Sequence, residues 1–154
     1  MKKVFSILIA VVICLFVGWV SSLLNVSPIE TWYQELEKSA LTPPDYVFPI
    51  VWCVLYILMG ISGGLLYNVH DISKRPLMVL FALQLLFNVS WTFFFFTVQS
   101  PILGFVNLLI LIVLGVSYFV GALLVKRSSA LFFIPYILWL FFAAYLNFYI
   151  IIFN

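Results

Sequence analysis

Residues Pro101–Val125 read "PILGFVNLLILIVLGVSYFVGALLV", a run without Asp, Glu, Lys, Arg or His and with a single amide, Asn107. As a helix it crosses the hydrocarbon core of a bilayer, for which about 20 mostly apolar residues suffice. Its apolar residues run on without the alternation of a barrel strand. Four further segments share this character: Val4–Leu24, Tyr46–Asn68, Pro76–Val98 and Leu131–Phe153. The breaks between them carry nearly all of the charge. Of the 154 residues 66% are hydrophobic, 19% aromatic and 8% charged. A soluble domain carries roughly a quarter charged residues, so only lipid solvates such a surface. The expectation is an all-α integral membrane protein, one domain of five transmembrane helices without an internal repeat.

The first segment, "MKKVFSILIAVVICLFVGWVSS", has an apolar stretch longer than a signal-peptide core and no A-x-A-like site after it. It reads as a retained membrane helix. With five spans, Lys2, Lys3, Lys74, Arg75, Lys126 and Arg127 fall on one side, and Lys38 is alone on the other with Glu30, Glu35, Glu37 and Asp45. Basic short loops stay in the cytoplasm, which predicts a cytoplasmic N-terminus and an extracytoplasmic first loop and C-terminus. The net charge of +2 expresses this topology and gives no reason to expect nucleic acid.

The only long loop is Asn25–Asp45. Ser27 and Glu30 fit a capping box, and Pro28 sits at the first helical position. Ile29, Trp32, Tyr33 and Leu36 recur at helical spacing, with Glu30, Gln34, Glu35, Glu37 and Lys38 opposite. That pattern predicts a short amphipathic helix, and periodicity alone fits either an interfacial anchor or a lid over a cavity. "LTPP", Leu41–Pro44, follows as a stiff extended strut, because each proline fixes φ and extends the residue before it.

At membrane depth, Gln84, Asn88 and Trp91 form one stripe of the third span, and Trp52 and Tyr56 share a face of the second with Gly60, Gly63 and Gly64 deeper. Asn147 shares a face of the fifth with Trp139, Ala143 and Leu146. Unpaired amides in hydrocarbon cost several kcal/mol, so they must face other helices or a cavity. Helix–helix adhesion is the better reading for Asn107 and the glycines. A cavity is the better reading for Trp52, Trp91, Trp139 and Asn88, because indoles near one end, each with an N–H to place, suit a flat aromatic ligand.

No span contains an ionised residue, so no proton or ion relay is visible, and no hydrolase, zinc or phosphate-loop motif occurs. Cys14 and Cys53 form no C-x-x-C pair. His70, the lone histidine, reads as a solvated loop residue, and no metal site is expected.

Three motifs in register resemble the tryptophan-rich sensory proteins and peripheral-type benzodiazepine receptors, also called translocator proteins. "WYQELEKSALTPPDYVFPIVW" resembles that family's first-loop pattern W-Y-x-x-L-x-K-P-x-W-x-P-P followed by F-x-x-V-W. Trp32, Tyr33, Leu36, Lys38, Pro43, Pro44, Phe48, Val51 and Trp52 take its positions. "NVSW" from Asn88 resembles the third-helix motif, and "PYILWLFFAAYLN" from Pro135 the fifth-helix W-x-x-F-A-x-x-L-N. Ser39 stands where the family often has proline and Leu41 where it often has tryptophan, which removes one aromatic from the lid. The residues "FYIIIFN" lack the basic end of the animal cholesterol motif, so cholesterol binding is not implied.

The resemblance implies a five-helix bundle in a bacterial plasma membrane, often a homodimer. It implies an outward-opening pocket for protoporphyrin IX, haem-like tetrapyrroles and isoquinoline or benzodiazepine-type molecules, covered by the first loop. Tetrapyrrole and lipid would be its partners, with porphyrin or haem as ligand and no cofactor required. By position, Tyr33, Pro43, Pro44, Trp52, Tyr56, Asn88, Trp91, Trp139, Ala143 and Leu146 would line the site. Two alternatives to a receptor are light-dependent oxidative breakdown of protoporphyrin, with Trp52 and Trp139 as redox partners, and transport of the tetrapyrrole across the membrane.

Overall fold

In lipid every backbone N–H and C=O must be paired within its own segment, so charge-free runs of this length become helices. The computed structural model describes residues 2–24 and 30–154, and five of its helices are long and apolar enough to cross a membrane. They are α1 (Lys2–Leu23), α3 (Val47–Tyr67), α4 (Lys74–Thr92, prolonged by a π-helical turn, Phe93–Thr97), α5 (Pro101–Val125) and α6 (Arg127–Phe153). A single turn, α2 (Trp32–Glu35), lies in the first loop.

The longer amphipathic helix expected in that loop is not confirmed. Leu36 already has extended backbone, at φ −74° and ψ 142°, so it leaves the helical face. The proposed cap at Ser27, Pro28 and Ile29 lies outside the described residues.

Local sequence sets several boundaries. Ser100 caps α5 by accepting a hydrogen bond from the Leu103 amide at 3.3 Å, and Pro101 occupies the first helical position, where no amide partner is needed. Pro49 sits in the first turn of α3 for the same reason. Helix α6 begins at Arg127, earlier than the apolar run suggests, and one non-helical residue, Lys126, separates it from α5. Buried Ser129 holds that extra turn: its hydroxyl donates to the Ser62 carbonyl at 2.8 Å, and Ser62 Oγ donates to the Ser129 carbonyl at 2.8 Å. Tyr118 OH joins both hydroxyls, at 2.9 and 3.1 Å, so α3, α5 and α6 share one closed polar cluster.

The spans form a ring: α1 packs on α3, α3 on α6, α6 on α5, α5 on α4, and α4 returns to α1. Glycines close the α1–α3 seam at the end carrying Lys3 and Asn68. A Cβ on Gly60 would lie 2.4 Å from Val11 Cα, and one on Gly64 2.5 Å from Ile7 Cα. Backbone therefore meets backbone there, the arrangement by which small residues join helices in lipid. Met59, Leu66, Phe133, Tyr136 and Leu140 fill this end of the bundle and are fully buried. The other half, beneath the first loop, is hollow.

Candidate functional site

A cavity of about 420 Å³ occupies the hollow half. Helix α1 contributes Leu15, Gly18, Trp19, Ser21 and Ser22, and α3 contributes Phe48, Pro49, Trp52, Cys53 and Tyr56. Asn88, Trp91 and Thr92 come from α4, Phe95 and Phe96 from the π-helical turn, and Trp139, Ala143, Leu146, Asn147 and Ile150 from α6. Tyr33 and Asp45 of the first loop complete the wall.

Of the residues singled out from sequence, Tyr33, Trp52, Tyr56, Asn88, Trp91, Trp139, Ala143 and Leu146 meet around this one space. Pro43 and Pro44 do not line it. The chain turns at Ser39–Thr42, where the Thr42 amide bonds the Ser39 carbonyl at 2.9 Å, and again at Pro44, whose carbonyl accepts from the Val47 amide at 2.9 Å. These turns carry the prolines around the rim and bring Asp45 to the cavity instead. Leu41 points away, with 64% of its surface exposed.

The indoles face both the cavity and one another. Trp52 and Trp139 meet edge to face at 6.5 Å, Phe48 meets Trp139 at 6.0 Å, and Trp52 lies 5.5 Å from Tyr56. Trp91 stacks on Phe95 at 5.2 Å with 17° between planes. The π-helical widening, a feature that recurs at functional sites, buries both Phe95 and Phe96 behind the lid.

Asn88 has a different role from the one its position suggests. Its amide nitrogen donates to the Gln84 carbonyl at 2.9 Å and to Tyr136 OH at 3.0 Å, and Tyr136 donates to Gln84 Oε1 at 2.8 Å. The amide is thus held by α4 and α6 and shapes the cavity floor. Trp91 Nε1, a donor, and Asn147 Oδ1, an acceptor, are two buried polar atoms of wall residues that lack a hydrogen-bond partner, and Asn147 Oδ1 lies against Gly104 of α5. Asn147 is oriented by its own nitrogen, which donates to the Pro101 carbonyl at 2.9 Å.

The first loop sits on the cavity as a latched lid. Tyr33 is 7% exposed and packs edge-on against Phe95 at 6.2 Å and Phe96 at 5.8 Å. Lys38 caps it, with Nζ 4.4 Å from the ring centroid and donating to the Tyr33 carbonyl at 3.0 Å. Burial, and secondarily the Asp45 carboxylate, push the Tyr33 phenol up to about 12, so it stays a neutral donor. Gln34 Nε2 donates to Asp45 Oδ2 at 2.6 Å.

Two further ties reach α6. Ser39 Oγ and Tyr145 OH share a hydrogen bond of 2.8 Å, and Asn154 pairs with the Glu37 backbone in both directions, at 2.8 and 3.1 Å. Ser39 Oγ also accepts from the Leu41 amide at 3.2 Å. The Ser39 hydroxyl thus fixes this turn from both sides.

Sequence reading left many wall residues unassigned to the site, among them Gly18, Trp19, Ser21, Ser22, Cys53, Phe95, Phe96 and Asn147. Small and polar residues in the last turns of α1 break an otherwise aliphatic span, which is a usable signal. The π-helical turn within "FFFF" has none that we can identify.

Fold and site together define a five-helix membrane protein with an aromatic-walled cavity beneath its first loop. The sequence pattern of the TspO/MBR family matches residues 10–153, and the chain belongs to that family. It is 33% identical to tryptophan-rich protein TspO of Chlorobaculum tepidum over 99% of this chain and 98% of that one. It is 33% identical to tryptophan-rich protein TspO of Bacillus cereus, over 84% of each chain. The translocator protein of Ovis aries is 31% identical over 76% of this chain and 71% of its own.

Proposed function

We propose that this protein is a membrane receptor for tetrapyrroles of the protoporphyrin IX or haem type, and that it also accepts smaller flat aromatics such as isoquinoline and benzodiazepine-type compounds. One observation carries the reading: an indole- and phenyl-walled cavity of about 420 Å³ beneath the first loop. Cavities of roughly 300–1,000 Å³ with apolar walls and few polar groups are typical small-molecule sites.

Asp45 at the rim does not favour the ring's carboxylates, so apolar contact dominates the binding. The bias of basic residues supports an orientation with the lid outside the cell. A homodimer remains part of the proposal, to be checked by molecular mass in detergent. The test of the ligand is a titration of protoporphyrin IX into the protein in lipid nanodiscs. We expect a saturable Soret shift with quenching of tryptophan fluorescence, displaced by an isoquinoline ligand. A Soret band and emission unchanged from protein-free nanodiscs would overturn the reading.

A second reading is favoured by the Trp52–Trp139 pair at 6.5 Å on the cavity wall. Bound protoporphyrin excited by light in the presence of dioxygen would exchange electrons with these indoles and be oxidised, the ligand supplying the reactive chemistry. Illuminated decay faster with wild type than with Trp52→Phe or Trp139→Phe supports it. Decay in all three equal to that without protein rejects it.

A further inference from the structure

The cavity wall is not equally closed on all sides. Its residues on α4, the π-helical turn and α6 are buried or half-buried, as is Tyr33 of the lid. Its exposed residues are Trp19 and Ser22 on α1, Pro49 and Cys53 on α3, and Asp45 just before α3. Trp19 is 58% exposed. At 1.5 Å per residue, Trp19 lies about 6 Å inside the end of α1, and Cys53 about 9 Å beyond the start of α3. Both positions fall within the apolar spans, so this side faces lipid as well as the membrane surface.

Among the described residues, three other sides of the cavity are held closed. The lid is tied by Ser39–Tyr145, Glu37–Asn154 and Gln34–Asp45. A separate lipid-facing groove between α3 and α6 ends on Trp139, which Phe48, Trp52 and Phe142 hold by ring contacts at 6.0, 6.5 and 5.5 Å. The lower α1–α3 seam is closed by Gly60 and Gly64 at backbone distance.

We propose that the cavity exchanges its ligand with the bilayer through a lateral slot between the lid-side halves of α1 and α3, framed by Trp19, Ser22, Pro49 and Cys53. This rests on the reading of the cavity as a site for an apolar ring ligand. Such a ligand partitions into lipid, so a slot in the spans meets it at high local concentration, and the lid does not have to open. Trp19 supplies an aromatic edge at the depth where indoles settle in membranes.

Two measurements test the slot, one without any ligand. Cys14 is buried and Cys53 exposed, which leaves one reactive thiol at the slot. In reconstituted vesicles, N-(1-pyrenyl)maleimide dissolved in the bilayer should modify Cys53, with no labelling of Cys53→Ser, while a sulfonated maleimide confined to water should modify it far more slowly. Equal or faster modification by the aqueous reagent would overturn the lateral slot.

The second measurement uses protoporphyrin IX preloaded into the vesicles. Narrowing the slot with Ser22→Trp should slow association and dissociation together by about tenfold, and releasing the lid with Ser39→Ala plus Asn154→Ala should change either rate by less than about twofold. Rates raised by the lid variant and untouched by Ser22→Trp would refute the route. If wild type binds no protoporphyrin at all, the cavity reading fails and the labelling result alone decides whether the slot exists.

Discussion

Tyr136→Phe removes one oxygen from the centre of the bundle and tests whether Asn88 is a structural residue. In the native protein this hydroxyl donates to Gln84 Oε1 at 2.8 Å and accepts from Asn88 Nδ2 at 3.0 Å, and all three side chains are buried. Without it, Gln84 Oε1 loses its donor and Asn88 keeps only its bond to the Gln84 carbonyl. Hydrogen bonds between membrane helices average about 0.6 kcal/mol and reach about 1.7. Leaving a buried polar group unpaired costs about 1–3 kcal/mol. Together these place the loss at about 1–3 kcal/mol, since the unfolded chain in lipid also finds partners.

Unfolding in mixed micelles of increasing SDS fraction, followed by tryptophan fluorescence, reads this directly. The double variant Tyr136→Phe with Asn88→Leu should lose less than the sum of the single losses, because the two residues share one bond. Full additivity, or a Tyr136→Phe variant within about 0.3 kcal/mol of wild type, would refute the assignment of Asn88 to the bundle's framework.

Gly60→Leu would drive a side chain into Val11 backbone, where even a Cβ comes within 2.4 Å. It should cost about 1–3 kcal/mol or more in the same unfolding assay, and a neutral result would show that α1 does not pack at this register. Gln99 closes the π-helical turn with φ 54°, while the Ser100 amide reaches the Phe94 carbonyl at 3.1 Å. A left-handed non-glycine residue costs about 1–2 kcal/mol, so Gln99→Gly should stabilise the protein, and a lower unfolding midpoint would contradict that geometry.

For Tyr33 the sign follows from its raised pKa. The undocked phenol loses its proton near 10.0 and the docked one near about 12. Lid docking is therefore fully stable below pH 10 and weakens as pH rises toward 12. Hydrogen exchange of the lid amides should accelerate over that window in wild type and lose this component in Tyr33→Phe. An identical pH profile in both would rule out Tyr33 as the cause.

The spans were legible because lipid leaves the backbone few choices. Runs such as Pro101–Val125 could only be helices. Trp52, Trp91 and Trp139 could be assigned to a common space because indoles need somewhere to put both a ring and an N–H. Asn88 was harder, since an amide in a stripe satisfies a neighbour as readily as a ligand. The neighbour, Tyr136, comes from a helix whose place in the ring no local pattern encodes. The lid's course was equally hidden. Prolines set its stiffness but not its direction, and the latches depend on Tyr145 and Asn154, far away in the chain. The π-helical turn is a tertiary compromise that lets adjacent Phe95 and Phe96 both pack beneath Tyr33.

The most direct test of the central claim is protoporphyrin IX binding to Ala143→Trp, compared with wild type in identical nanodiscs. Ala143 lines the cavity beside Trp139, and an indole there occupies the space assigned to the ligand's ring. With an unchanged far-UV spectrum and a cooperative unfolding transition as controls, the account predicts that wild type gives a saturable Soret shift and Ala143→Trp gives none. Undiminished binding by the filled variant would contradict it, because the tetrapyrrole would then bind outside this cavity.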